Sequence, residues 1–139
     1  MDHLSHADHN FNACSFLKGN GNFNDWVVTT SFYSCMHYVY YKSFPNNHTI
    51  KGTTKHYDTF SQFYKDFHKH NPKVSRHDLT VDLAIEIFPE EISVGFHKLK
   101  SDCMNARYHN YNISQIIVDS SVSVLESIRQ LCAVTVQSN

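Results

Sequence analysis

Residues 24–43 read NDWVVTTSFYSCMHYVYYKS, and the way this run folds decides the class of the whole chain. Trp26, Thr30, Tyr33, His37 and Tyr40 recur at three- and four-residue steps, the period of one helix face. Val27, Ser31, Ser34, Cys35 and Tyr38 form a second stripe, whose small residues let a neighbouring helix come close. The spacing predicts one helix with two contact faces, which belongs in the middle of a bundle. Asn24 or Asp25 is the expected cap, accepting free backbone N–H groups of the first turn. Pro45 follows the end.

Toward the N-terminus, Leu4, Ala7, Phe11, Cys14 and Leu17 predict a helix over 3–18, stopped by Gly19 and Gly21. Toward the C-terminus, residues 45–54 read as a polar loop. Tyr57, Phe60, Tyr64 and Phe67 then give an aromatic helical stripe that ends at Asn71-Pro72. Residues 76–88 fit two patterns, because Leu79, Val81, Leu83, Ile85 and Ile87 alternate as a strand would. A helix is preferred, since a lone strand finds no partner of comparable β character. Pro89 suits the first turn of the next helix, and Glu90 and Glu91 suit its positive end. Ile92, Phe96, Leu99, Cys103 and Ala106 continue it to a break at 110–112. A last helix over about 113–134 is expected to bury Ile113, Ile117, Val124, Ile128 and Leu131. The sum is an all-α, up-down bundle of five or six helices, one domain over residues 1–139.

Composition agrees. Hydrophobic residues make up 41% of the 139, enough for a core, and only four Gly and three Pro argue against a turn-rich sandwich or barrel. The net charge of −1 excludes a strongly basic nucleic-acid binder. Charge is nevertheless uneven: Lys51, Lys55, Lys65, Lys69, Lys73 and Arg76 meet only Asp58 and Asp66 in that stretch. Such a segment either steers an anionic partner or is a solvated helix face and loop. Cys14, Cys35, Cys103 and Cys132 form no CxxC pair, and the polar start lacks the apolar run of a signal peptide. No stretch is apolar enough to span a bilayer. A cytoplasmic protein with reduced thiols and no membrane association is expected.

Histidine is abundant, with eleven in the chain. His3, His6 and His9 spread over about 120° of a helix at about 100° per residue, and no further ligands complete a tetrahedral set. Surface histidines near a frayed terminus, and no metal or cofactor, are expected. His37 shares its stripe with Trp26, Tyr33 and Tyr40, as a hydrogen-bonded core residue or as a base-stacking residue in a cleft. Asn105 to Tyr111 (NARYHNY) is the densest polar and aromatic cluster. Arg107 offers a fixed fork of donors for phosphate, His109 offers an imidazole for proton transfer, and Tyr108 and Tyr111 can stack. Those groups suit binding or cleavage of an RNA backbone; they equally suit a helix end whose cation offsets the dipole. No GxSxG, phosphate loop, dinucleotide fingerprint or HExxH is present.

Several segments carry a family resemblance in order along the chain. They are His6 and Leu17 on the first helix, Asp25-Trp26-Val27-Val28, Phe32 to His37, Ser75-Arg76-His77, and Leu99 to Tyr111 with Ala106-Arg107-Tyr108-His109 at its centre. The chain resembles the HEPN superfamily, small prokaryotic helical bundles that often act as RNases or as their partners. The resemblance implies a four- or five-helix bundle, a homodimer, and an Arg–His motif of four to six intervening residues at the dimer cleft. Here the chain departs from the family: six residues before His109 stands Cys103, and Arg107 is only two before it. Lys98 and Lys100 are less suited to bidentate phosphate contact. The resemblance implies a metal-independent endoribonuclease or a degenerate one, from a toxin–antitoxin or phage-defence system. Arg107 and His109 would be the catalytic pair, with His37, Tyr33, Tyr108, Tyr111 and Lys100 against RNA. The alternative is a non-catalytic dimeric module that holds a cognate antitoxin or nucleotidyltransferase.

Overall fold

The computed structural model describes residues 2–137 and places six helices and one hairpin in them. The order is α1 (His3–Asn20), α2 (Asn24–Ser43), β1 (Asn46–Ile50), β2 (Thr53–Tyr57), α3 (Phe60–His70), α4 (Arg76–Ile87), α5 (Glu90–Tyr108) and α6 (Gln115–Gln137). The expected all-α bundle is present, and residues 76–87 are helix. Ser75 caps α4 by accepting the Asp78 N–H, which sets the run's first turn and decides against the strand reading.

Helix α2 is the centre and packs against α1, α4, α5 and α6. Its small stripe does what its residues allow. Ser34 donates its hydroxyl to the Ala7 carbonyl at 2.7 Å, and Cys14 Sγ lies 3.2 Å from Ser31 Oγ, so α1 lies close on α2. On the opposite side Phe32 stacks on Phe96 of α5 with centroids 5.5 Å apart. The stripe Phe96, Leu99, Cys103 and Ala106 is buried, while Ile92 lies at the core's edge. All four cysteines are buried as free thiols.

Four expectations are corrected. Residues 45–54 are not a loop: β1 and β2 pair antiparallel, Asn46 opposite Tyr57 and Ile50 opposite Thr53. Lys51 and Gly52 both take positive φ (46° and 81°), the geometry of a two-residue hairpin turn. Threonines 49 and 54 hydrogen-bond across the ladder at 2.6 Å. Tyr57 therefore belongs to β2 rather than to the α3 stripe, and it packs edge-on against Phe63. Second, neither Asn24 nor Asp25 caps α2: Phe23 holds the cap position without a side-chain bond, and the Asn24 amide donates to the Ile113 carbonyl at 2.9 Å. Third, the buried face of α6 is rotated to Val118, Val122, Leu125, Ile128 and Cys132, leaving Ile117, Val124 and Leu131 half-buried; Ile113 is buried but precedes the helix. Fourth, the N-terminus is not frayed around surface histidines. Asp2 caps α1, and His3 and His6 pack on His37.

Candidate functional site

Tyr33 projects from α2 at the seam with α4 and α5, and two titratable or cationic groups meet its ring. The Arg107 guanidinium donates Nη1–H to the Tyr33 hydroxyl, and its Cζ lies 5.6 Å from the Tyr33 ring centre. From α4, the His77 imidazole stands edge-on to the same ring at 6.1 Å and to Phe32 at 5.2 Å. Arg107 and Lys100 lie seven residues apart on α5, two turns along one face, at the rim of its buried stripe. Lys100 pairs with Asp78, the residue after His77.

The electrostatics of this cluster favour a neutral imidazole. Burial, then the Lys100 and Arg107 charges, holds His77 below the usual imidazole range. Its place in the first turn of α4, beside the positive helix end, acts in the same direction. His77 Nδ1 is buried without a hydrogen-bond partner, a state that is costly unless a ligand or water fills it. Burial also raises the Tyr33 hydroxyl above its ordinary value, against the pull of Arg107. A neutral base beside a guanidinium can accept a proton while the cation steadies anionic oxygen.

The sequence-derived candidates fall in four places. Tyr33, Lys100 and Arg107 are brought to this cluster. Tyr108 and Tyr111 lie next to it, lining a cleft of about 310 Å³ with Asp25, Trp26 and Arg107. Arg107 Cζ sits 5.1 Å from the Tyr108 ring centre. His109 is the C-cap of α5: its backbone N–H reaches the Asn105 carbonyl, and among the described residues its exposed side chain makes no hydrogen bond or ring contact. His37 belongs elsewhere. Its Nδ1 is 3.1 Å from His3 Nδ1, and its ring stacks on His6 at 4.8 Å. Burial, then His3 and His6, pushes His37 down to about 4.

His77 is the residue that periodicity alone does not reveal, since its importance comes from contacts across 44 residues of sequence to Tyr33. The only earlier signal is its position in Ser75-Arg76-His77. It also lines a second cavity, of about 480 Å³, with His3, Met36, Tyr40, Phe60 and Arg76. The basic stretch is partly neutralised: Lys55 and Lys69 both reach Asp66, at 3.9 and 3.7 Å. Among the described residues no group of three or more His, Cys, Asp or Glu converges to hold a metal, and no helix is long and apolar enough to cross a membrane. No family model, curated protein or solved structure matches the chain.

Proposed function

We propose that the protein is an RNA-associated, HEPN-like helical bundle, a metal-independent endoribonuclease or its degenerate relative in a toxin–antitoxin or defence system. The observation that carries this reading is the meeting of Arg107 and His77 on Tyr33, with Lys100 two turns away. Arg107 supplies the bidentate fork that a phosphodiester accepts, and Lys100 adds a second cation along the backbone. His77, held neutral, would take the 2′-hydroxyl proton through Nε2, since its Nδ1 is buried. The 2′-oxygen would then attack phosphorus as the 5′-oxygen leaves, and Arg107 would stabilise the pentacovalent charge. His109, exposed two residues beyond Arg107, would protonate the leaving oxygen.

The test uses a labelled single-stranded RNA at low salt, followed by band shift and by denaturing gel. Wild type is expected to shift the RNA, and Arg107→Ala to weaken the shift. His77→Ala and His109→Ala would report cleavage with the helical circular-dichroism signal retained. RNA left intact and unshifted by wild type removes the proposal. A second reading is favoured by one observation: Trp26, Tyr108 and Tyr111 are exposed together on one cleft. It is a dimeric module that holds a cognate antitoxin or nucleotidyltransferase, and it predicts a stable complex unaffected by His77→Ala.

A further inference from the structure

We propose that the cleft between the start of α2 and the end of α5 is a nucleobase pocket selective for guanine in single-stranded RNA. The inference rests on the RNA reading above and names the base that the same site would take.

The cleft is built before any ligand arrives. Asp25 and Trp26 come from the first turn of α2, Ala106, Arg107 and Tyr108 from the last turn of α5, and Tyr111 from the segment beyond. The Asn24 amide ties that segment back to α2 through the Ile113 carbonyl at 2.9 Å. At about 310 Å³ the space sits at the small end of ordinary ligand pockets, about 300–1,000 Å³, which suits one base and not a duplex.

Its walls have an unusual composition for an open surface. Trp26, Tyr108 and Tyr111 are 53%, 64% and 77% exposed, whereas Phe32, Tyr38 and Phe96 are almost fully buried. Three rings left facing water around one small cleft offer flat faces on which a base can stack, and stacking of this kind tolerates any base. Selectivity comes from the charges. Arg107 stands on one side, already over the Tyr108 ring. Asp25 stands on the same cleft, yet the two make no ion pair, and among the described residues the Asp25 carboxylate has no hydrogen-bond or ion-pair partner. A ligand that fills the space must present donors to Asp25 and an acceptor or anion to Arg107.

Guanine does this best of the four bases. Its Watson–Crick edge carries N1–H and N2–H side by side, two donors that match the two oxygens of one carboxylate. Adenine places the N1 acceptor against that carboxylate. Uracil offers one donor flanked by carbonyls, and cytosine offers its amino group beside the N3 acceptor. A guanosine phosphate or the guanine O6 also gives an acceptor to the Arg107 N–H groups that the Tyr33 hydroxyl does not take. Thr29 does not compete, because its hydroxyl is engaged with the Asp25 carbonyl at 2.8 Å. The competing account of Asp25 is a carboxylate that merely stabilises the start of α2.

Trp26 is the single tryptophan of the chain, so its fluorescence reports this cleft alone. Titrations with the 5′-monophosphates of guanosine, adenosine, cytidine and uridine would give four affinities, with the dissociation constant and not the amplitude as the readout. Guanosine monophosphate is expected to bind about tenfold tighter than the others. Asp25→Asn should erase that preference while the thermal melt shifts by only a few degrees; Asp25→Glu should restore part of it. Equal affinities for all four nucleotides, or a preference that survives Asp25→Asn, overturn the proposal. RNA that still band-shifts without perturbing Trp26 overturns the pocket and leaves the RNA reading standing. Absence of both nucleotide and RNA binding overturns the two together.

Discussion

Acid should weaken this protein through His37, and the structure gives both the sign and the size. His37 lies between His3 and His6 of α1 and Tyr40 of its own helix, with its Nδ1 3.1 Å from that of His3. One of those nitrogens must donate and the other accept, so the pair is stable only while it shares a single proton between the two facing atoms. Burial and the neighbouring imidazoles lower His37 from 6.5 to about 4. Between those values the unfolded chain binds a proton at this position and the folded chain does not, so stability rises with pH across the window. The contribution is complete above about pH 6.5, is lost as pH falls toward 4, and is absent below it. The unscreened difference is worth about 3 kcal/mol at about 1.36 kcal/mol per pH unit. The site is only half enclosed, and solvent screening reduces this to about 1–2 kcal/mol. Burial depresses His3 as well, and its effect adds with the same sign. The assay is urea unfolding of wild type and His37→Gln at about pH 7.5 and about pH 4.5. Wild type should lose about 1–2 kcal/mol more than the variant on acidification. Parallel losses in the two proteins would show that the histidine cluster carries no linkage.

Two further outcomes follow from packing. A Cβ built at Gly95 on α5 would lie 2.9 Å from Val124 Cγ2 on α6, so Gly95→Ala should destabilise by about 1 kcal/mol, overpacking of about 1–3 kcal/mol outweighing the helix-propensity gain of about 1 kcal/mol. Thermal melts of Gly95→Ala alone and combined with Val124→Ala check this, since the second change should relieve the first. Tyr40→Phe removes a buried hydroxyl that lies 2.8 Å from Thr80 Oγ1, which itself donates to the Arg76 carbonyl; a loss of about 1 kcal/mol is expected in denaturant unfolding, with an unchanged slope.

The helices most readable in advance were those with a strong period, even where no side chain caps them. Along α5, the spacing of Phe96, Leu99, Cys103 and Ala106 named the buried face without further help. In α2, two stripes announced two neighbours, and the structure supplies four. The hairpin was illegible because Asn46 to Thr54 alternates no hydrophobic residues and turns on Lys51-Gly52 rather than on an Asn-Gly or Asp-Gly pair. Its stability comes instead from Phe44, Ile50, Tyr57 and Phe63, which cluster only after the chain folds back. On α6, apolar residues occupy so many consecutive positions that several rotations of the buried face fit the sequence equally, and α2 and α5 select one.

Local patterning sets the helical class, the central place of residues 24–43, and the presence of Arg107, Tyr108 and Tyr111 at a helix end. Those follow from local period, caps and breakers, which act over a few residues. Long-range packing brings Tyr33, His77, Lys100 and Arg107 together, puts His37 in a different cluster with His3 and His6, and gives Asp25 a cleft shared with Arg107. Those groupings depend on how far each helix is rotated about its own axis, and that rotation is set by burial against neighbours distant along the chain.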